Sequence, residues 1–485
     1  MKKNKLKLWK AVIAPCLLFS LFLTCCEDET KEVKTIVPYN PSKPIIIDRF
    51  LPDSGRVATQ MFIWGENFGG NKDSISVFIN DKKAAVIGVN PSGTLLYCIV
   101  PSLRGDEIRK DGDELKAPIK VVVANKESNV PDKQLVYTFS QNVSTFLGFT
   151  DQDGNSDIID GEFEKAQFKS PFWLAFDTDI NGQSGPDGKP KKNIYLIEEN
   201  VGLRFIDLYN KNVSTVFSVG NGVNRPRTIA FTLSNDTMII ANDGDEWDWI
   251  GTIIIPRDTV SRRFMSPWRA VMHHKQCNGG AVHPATGDYW FNSYSKSQVY
   301  KVFERSGEIW RYGGPTADRL NEDGKEGTNC FFYVQDDNWE FNIQIAPSGK
   351  FAYIVSKNQH YIASMQYSLE KGAFEKPGPF AGARQKSGFQ DGVTGNALFN
   401  EPQQGAFDKN DNFYVCDGEN NCIRMVTPEG QVSTFAGRPG NPGYSDGALR
   451  DAQFDGPFGI IYDDDIETFY IADRDNFRIR SIKVE

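Results

Sequence analysis

The chain has 485 residues and carries 54 Lys and Arg against 63 Asp and Glu, which gives a formal net charge of −9. This acidic balance argues against a nucleic-acid partner, because such proteins need a basic face to neutralise phosphates. Only 4 histidines are present, so His-rich metal or acid–base chemistry has little support. The 34 Phe and 17 Tyr, together with 43 Gly and 25 Pro, favour short strands and tight turns and therefore an all-β fold.

The N-terminal residues have the pattern of an export signal. Five lysines stand among the first ten residues, and the apolar run 11–23 is too short for a typical membrane-spanning helix. Leu23-Thr24-Cys25 before Cys26 resembles a bacterial lipobox, which predicts a signal peptide over residues 1–25 and lipidation of Cys26. An ordinary cleaved signal peptide is the alternative. The acidic residues 27–29 resemble the signal that sends Bacteroidetes lipoproteins to the outer cell surface, which implies an outer-membrane protein, lipid-anchored and facing the cell exterior.

Residues 26–43 have the composition of an extended linker after the lipidated cysteine, since they are rich in proline and lysine and contain few apolar side chains. Residues 44–139 alternate short β-like runs with turns, which indicates an Ig-like sandwich. The runs IWGENFG at 63–69 and CIVP at 98–101 resemble the IPT/TIG family. That resemblance implies a spacer or interaction module, and the pattern carries no catalytic residue.

From residue 141 to residue 485 the chain repeats itself. In three stretches an Asp-Gly pair is followed by Ala-x-Phe, then by a proline five residues after the alanine, and later by an arginine. The copies are Asp160, Phe168, Pro171 and Arg204; Asp391, Phe399, Pro402 and Arg424; and Asp446, Phe454, Pro457 and Arg480. The pattern resembles the NHL repeat of β-propellers. It implies six four-stranded blades, with residues 143–148 supplying the outermost strand of the last blade so that the ring closes.

One face of such a propeller is the predicted ligand site. There the loops from second to third strand, and from one blade to the next, surround the central channel. Trp247 and Trp249 stand in an acidic, glycine-containing loop with Asp245. An indole face can stack on the C–H face of a sugar while carboxylates and amides bind its hydroxyls; packing under the loop is the alternative. Further candidates are Glu199, Arg227, Trp268, Tyr294, Trp339, Asn358, Tyr361 and Arg474.

A calcium site and a disulfide are predicted from local spacing. Oxygen-bearing side chains alternate along the run at 151–157, as a cation-wrapping loop requires, although the bidentate glutamate of a calcium-binding loop is missing and a solvated turn is the alternative. The residues concerned are Asp151, Asp153, Asn155 and Asp157. Cys416 and Cys422 flank a predicted hairpin and could form a disulfide in an exported protein. No cofactor other than calcium is predicted.

The domains and signals together resemble the surface glycan-binding lipoproteins of Bacteroidetes polysaccharide-utilisation systems of the Sus type. The resemblance implies a non-catalytic protein that captures glycan beside a TonB-dependent transporter and its lipoprotein lid. A protein-recognition or scaffold subunit of such a complex is the alternative, because propeller faces also bind proteins. A propeller lyase or hydrolase has less support, since no three-His site or Ser/His/Asp arrangement is visible in the sequence.

Overall fold

The computed structural model describes residues 36–57, 59–103, 111–179, 182, 184, 190–244, 250–273, 277–293, 298–302, 330–333 and 340–484. Within these residues the secondary structure is β-strand and short 3-10 turns, with no α-helix. The 3-10 turns are Lys72–Ser74, Thr394–Asn396 and Gly418–Asn420. None of the described residues belongs to a helix with the length and apolar character that a membrane span requires.

The chain divides into two compact units. The first holds the described residues up to Asp53 together with 58–101 and 117–135, and the second holds 54–57, 102–116 and 136–485. Seven strands form one sheet in the first unit, in the spatial order Ile46–Leu51, Gln60–Glu66, Leu95–Ile99, Lys82–Val89, Ile75–Ile79, Ile119–Val123 and Lys126–Glu127. A smaller sheet contains Ser54–Gly55, Leu135–Thr138 and Glu114–Ala117. Alternate residues are buried along strands such as Ile75–Ile79, as expected for strands with one face in a core.

The second unit contains six antiparallel sheets, which we call blades one to six. Each blade is given from its innermost strand outward. Blade one is Pro171–Thr178, Lys192–Glu198, Gly202–Asp207 and Asn212–Ser218; blade two is Pro226–Phe231, Thr237–Asn242, Ile250–Pro256 and Arg269–His273; blade three is Gly280–Val282, Tyr289–Ser293, Gln298–Val302 and Cys330–Tyr333; blade four is Phe341–Ile345, Phe351–Ser356, Tyr361–Ser368 and Gly378–Ala381, with Ala373–Phe374 beside it; blade five is Pro402–Phe407, Phe413–Asp417, Cys422–Val426 and Gln431–Gly437; blade six is Pro457–Asp463, Thr468–Asp473, Arg478–Val484 and Gln141–Leu147.

The six innermost strands contact one another in sequence, and the strand of blade six contacts that of blade one, so the blades form a closed ring. Polar side chains link these strands across the channel. Gln404 of blade five donates to Leu174 O of blade one at 2.8 Å and accepts from the amide of Ile460 of blade six at 3.3 Å. Gly459 permits the close approach, because a Cβ there would lie 2.5 Å from Phe172 O. The ring is the six-bladed propeller that the sequence predicts.

The N-terminal strand of the propeller closes blade six. Gln141–Leu147 pairs antiparallel with Arg478–Val484, which is the last strand of the chain. A two-residue strand at the Asp-Gly motif then covers the outer edge of blades one, five and six: Gly161–Glu162, Gly392–Val393 and Gly447–Ala448. Covering these edges leaves fewer unpaired backbone groups available to another chain.

The repeated motif residues form one buried network in each of these three blades. In blade five, Arg424 donates to Asp417 and to Asp391, each at 2.8 Å, and its guanidinium lies 5.1 Å from the centre of the Phe399 ring. Asp391 in turn accepts from the amide of Thr434 on the outermost strand at 3.1 Å. The same contacts recur at Arg204, Glu198, Asp160, Phe168 and Thr215 in blade one and at Arg480, Asp473, Asp446, Phe454 and Thr145 in blade six. The repeat therefore conserves an ion-pair network that ties the outer edge of a blade to its centre.

The acidic members of this network are strongly desolvated. Burial raises the pKa of Glu198 to about 7 and that of Asp417 and Asp473 to about 6, although the paired arginine acts in the opposite direction. Their carboxylates and the arginine guanidinium groups are fully buried. Since a buried charge is tolerated only when it is paired and hydrogen-bonded, each arginine and its acid depend on one another.

Candidate functional site

We call the end of the ring where the innermost strands begin and the second strands end the mouth. The loops that the sequence analysis singled out begin and end there, as Glu198 pairs with Pro171 and Asp417 pairs with Pro402. Several predicted ligand residues fall outside the described residues, so their positions stay predictions. They are Asp245, Trp247, Trp249, Tyr294 and Trp339. The lipidation site Cys26 also lies outside the described residues.

Aromatic side chains form the floor of the mouth. Phe172 and Phe458, near the starts of the innermost strands of blades one and six, stack with ring centroids 3.7 Å apart. Trp173 lies beside them in the same buried cluster. Between these rings and the polar residues of blades four and five is a cavity of about 30 Å³, room for little more than a water molecule. A ligand at the mouth would therefore lie across this floor.

Arg227 is held at the rim by two acids. Its guanidinium donates to Glu199 at 3.0 Å and to Asp243 at 3.2 Å, and it lies 5.5 Å from the Phe172 ring centre. Arg225 adds a longer contact to Asp243 at 3.7 Å. Glu199 and Arg227 were both predicted as ligand residues, and the structure brings them together as an ion pair. Glu199 remains 29% exposed and can accept further hydrogen bonds.

Three more ion pairs, made by two cations, lie at the described rim. Lys357 of blade four contacts Glu340 at 2.7 Å and Glu401 at 3.8 Å. Arg474 of blade six donates two hydrogen bonds to Asp475, each at 3.0 Å, and lies 5.6 Å from the Phe458 ring centre. The rim therefore alternates partly exposed carboxylates with guanidinium and ammonium groups around an apolar centre. Such a rim offers hydrogen-bond donors and acceptors in fixed positions.

The loop between the second and third strands of blade four holds two buried acceptors without a donor. Asn358 Oδ1 and Gln359 Oε1 are both buried and accept no hydrogen bond from the described residues. An unsatisfied buried acceptor costs about 1–3 kcal/mol, so this loop carries a local energetic penalty. Asn358 was predicted from its polar loop. Gln359 was not predicted as a ligand residue, although it lies next to Asn358 in the same polar loop.

Two predicted ligand residues offer no free ring at the mouth. Tyr361 is buried at 3% exposure in the apolar cluster of blades three and four, so it cannot offer its ring face to a ligand. Trp268 precedes the outermost strand of blade two, at the end of the ring opposite the mouth, and packs against the cluster of blades one and two. Tyr361 is the first residue of the third strand of blade four, and its ring is buried. Trp268 lies in the connection between the third and fourth strands of blade two, and not in a loop between blades.

The calcium-type loop is closed by its own backbone. Asp151 accepts from the amides of Asp153 and Asn155 at 2.9 and 2.8 Å, as in a solvated turn, and calcium at this loop stays a prediction. In the described part of the chain, one group of three acids has ligand atoms close enough to share an ion, namely Asp463, Asp464 and Asp465. Lys192 already occupies its centre, with its ammonium 2.6 Å from Asp465 and 2.7 Å from Asp463.

The predicted disulfide is not formed. Cys416 and Cys422 are free, buried thiols. The register of the hairpin gives the reason, since Cys416 is opposite Ile423 while Cys422 is opposite Asp417. Directly opposed residues share a face of the sheet and neighbouring residues alternate, so the two sulfurs point to opposite faces. Burial raises the pKa of both thiols well above the ordinary value.

Two described histidines have structural surroundings. His283 Nδ1 accepts from the amides of Ala285 and Thr286, each at 3.2 Å, and Nε2 lies 2.9 Å from Gly349 O. These contacts fit a neutral ring that donates through Nε2. His360 accepts from the amide of Glu401 at 3.1 Å, and burial lowers its pKa. Neither ring is placed beside a nucleophile by these contacts.

The fold defines a class of protein in which an IPT/TIG domain precedes a six-bladed propeller. The model of the IPT/TIG domain family matches residues 44–139, which confirms that part of the sequence resemblance. A structure of an auxiliary nutrient binding protein from Bacteroides thetaiotaomicron is 33% identical and covers 92% of this chain and 99% of that one, with a TM-score of 0.67. The chain belongs to the same family as that protein.

Other relatives carry different names. An auxiliary nutrient binding protein from Bacteroides ovatus is 26% identical, with coverage of 92% of this chain and 100% of that one and a TM-score of 0.66. A Bacteroides thetaiotaomicron protein described as a candidate phosphatase is 31% identical, with coverage of 93% and 99% and a TM-score of 0.65. The curated chloroplastic protein SUPPRESSOR OF QUENCHING 1 of Arabidopsis thaliana is 24% identical over 351 residues, which span only 26% of that protein.

Proposed function

We propose that this protein is a non-catalytic, lipid-anchored protein of the outer cell surface that captures glycan at the mouth of its propeller. Two relatives that match over nearly the whole chain are described as auxiliary nutrient binding proteins, which supports a nutrient ligand. The finer assignment to glycan depends on the mouth itself.

The observation that carries the glycan assignment is the rim of partly exposed ion pairs around the aromatic floor of Phe172 and Phe458. A sugar presents many hydroxyl groups that both donate and accept, and an apolar C–H face. The partly exposed carboxylates and cations of the rim can bind such hydroxyls. Trp247 and Trp249 would add stacking surfaces, as the sequence predicts.

In this proposal the glycan passes from the mouth to a TonB-dependent transporter with a lipoprotein lid, as in a Sus-like uptake system. The lipid at Cys26 would hold the protein in the same membrane. The transporter and its lid are proposed partners. If no glycan binds, a protein-recognition role in that complex becomes the better proposal.

Native affinity electrophoresis of the full chain in mild detergent tests the function. Plant, host and microbial polysaccharides are placed in the gel, and a binding glycan is expected to slow the wild-type protein. The double variant Trp247→Ala, Trp249→Ala and the single variant Asn358→Ala should lose this retardation while keeping the wild-type circular dichroism spectrum. Trp268→Ala is the matched control, because this tryptophan lies at the opposite end of the ring, and it should be retarded like the wild type.

The outcomes separate the alternatives. A folded wild-type protein that no glycan retards would refute the proposal. Release of p-nitrophenol from p-nitrophenyl phosphate would instead favour the phosphatase description that one relative carries. Equal loss of retardation in Trp268→Ala and in the mouth variants would show that the ligand does not bind at the mouth.

A further inference from the structure

A second, larger cavity lies between blades six and one. Its volume is about 640 Å³, which falls in the range of small-ligand sites. It extends from the end of the innermost strand of blade six, at Asp463, to the outermost strand of that blade at Thr145–Leu147. The facing wall is the turn of blade one at Leu208–Lys211. None of its lining residues belongs to the small cavity at the mouth. We call it the closure groove, because the closing strand forms part of it.

Exposed aromatic rings are concentrated at the closure groove. Among the described residues, five aromatic side chains are between 41% and 46% exposed. Three of these line the groove: Phe149, Tyr209 and Tyr444. Phe146 lies deeper and contacts both Phe163 and Tyr470, with ring centroids 5.5 and 4.8 Å apart. Exposed apolar rings that converge on one cavity are typical of a binding site rather than of ordinary surface.

The charges of the groove cancel. Three cations and three carboxylates line it: Lys192, Lys211 and Arg478, with Glu164, Asp463 and Asp465. Lys192 is bound within hydrogen-bond distance of both aspartates, and Arg478 lies 4.1 Å from the Tyr444 ring centre. A groove without net charge has no electrostatic preference for an anion or a cation, whereas its charged groups are strong hydrogen-bond donors and acceptors.

We propose that the closure groove is a second glycan-binding site, separate from the mouth, which takes a short, uncharged oligosaccharide. The exposed rings of Phe149, Tyr209 and Tyr444 would stack on sugar faces, and the charged groups would bind hydroxyls. This inference rests on the proposed function only for the class of ligand. Two sites on one chain would raise the strength of binding to a long polysaccharide, because the second contact is intramolecular.

The repeat supplies a matched control. Tyr444 and Phe389 occupy the same position, two residues before the Asp-Gly pair of blades six and five. Each ring lies beside the arginine of its own network, Arg480 at 5.0 Å and Arg424 at 4.7 Å. Phe389 is 44% exposed but does not line the groove. Both truncations remove a ring from the arginine of its network. Truncation of Tyr444 also removes its contacts to Thr145 and Arg478, and it alone removes a groove wall.

Isothermal titration of the full chain tests the inference. The probes are maltohexaose, cellohexaose, xylohexaose and mannohexaose as uncharged ligands, and hexagalacturonic acid as an anionic one. For an uncharged probe that binds, we expect Phe149→Ala, Tyr209→Ala in one chain, and Tyr444→Ala alone, to weaken a binding site at least about tenfold. Phe389→Ala should bind like the wild type. Both variants should keep the wild-type circular dichroism spectrum, and Tyr444→Ala should melt a few degrees lower than Phe389→Ala because it also loses the contacts to Thr145 and Arg478.

Each outcome decides a separate question. Wild-type affinity in both groove variants, with binding lost in Trp247→Ala, Trp249→Ala, would overturn the closure groove and leave the mouth proposal intact. Preference for hexagalacturonic acid would overturn the assignment to an uncharged ligand. Failure of the wild type to bind any probe or polysaccharide would refute the proposed function and the glycan assignment together. Loss in the groove variants alone would support the groove and move the proposed function from the mouth to this site.

Discussion

Replacement of Arg424 by methionine is expected to destabilise the propeller strongly. The Arg424 side chain is fully buried and donates four hydrogen bonds: to Asp417 and Asp391 and to the carbonyls of Leu398 and Gln390. Methionine keeps apolar volume but leaves the Asp417 carboxylate buried with no cation. Only the donors of Asn420 and Asn400, at 2.8 and 2.7 Å, would remain to it.

The expected loss follows from these contacts. Removal of one partner of a buried ion pair costs about 3–5 kcal/mol. A propeller of about 340 residues has an unfolding entropy of about 0.7 kcal/mol/K, so a loss of about 4 kcal/mol lowers the melting temperature by about 6 °C. Differential scanning calorimetry and urea denaturation followed by circular dichroism would measure both quantities.

Two variants make the reasoning refutable. Arg438 is 49% exposed and lies 3.8 Å from Asp451, so Arg438→Met should change the free energy of unfolding by less than about 0.5 kcal/mol. The double variant Arg424→Met, Asp417→Leu removes both charges, and should recover part of the loss. A loss in Arg424→Met no larger than in Arg438→Met, or losses that simply add in the double variant, would refute the buried network as the source of stability.

Three further predictions follow from the same structure. Because the pKa of Asp417 is about 6 in the folded chain and 3.8 ordinarily, the unfolded chain loses this proton first as pH rises. The free energy of unfolding of the wild type relative to Asp417→Asn should therefore fall from pH 4 to pH 6, by at most about 1.4 kcal/mol per pH unit. A rise measured by urea denaturation would instead mean that Arg424 holds the folded pKa of Asp417 below its ordinary value. Thr145→Val removes a hydroxyl that donates to Asp446 at 3.2 Å and contacts the Tyr444 hydroxyl, so calorimetry should show about 1 kcal/mol less stability. Thr427→Val, which removes a hydroxyl at a turn of blade five, is the comparison. Equal losses of stability in the two variants would argue against a special role for the closing strand. Cys416 and Cys422 should react with a maleimide only after denaturation and without prior reduction, and mass spectrometry that found them oxidised would contradict the free thiols.

Much of the fold could be predicted from the sequence because its signals are local and repeated. The Asp-Gly, Phe and Arg positions recur at constant spacing, since each blade uses the same network to join its outer edge to its centre. The sequences of blades two to four lack the repeated motif, yet their alternating apolar runs still marked their inner strands. The sequence also indicated that residues 143–148 close blade six, because the last blade was one strand short.

The site was less predictable, because its features depend on contacts between distant segments. Loop composition identified Glu199, Arg227 and Asn358 at the mouth, but it also selected Tyr361, whose ring is buried, and Trp268, which lies at the opposite end of the ring. Burial of a ring against a neighbouring blade is invisible to local composition. Likewise the pair Cys416 and Cys422 looked close in sequence, and only the strand register showed that their side chains diverge.

The closure groove illustrates what the tertiary structure alone decided. Phe149, Tyr209 and Tyr444 are separated by up to about 300 residues, and nothing in their local sequence links them. They converge because the propeller joins its first strand to its last blade, which places blade one beside blade six. The sequence by itself determined the class of fold, the number of blades and the repeated ion pairs, since these follow from short-range patterns. Which side chains meet in a cavity was decided by closure of the ring, since closure alone brings the two ends of the chain together.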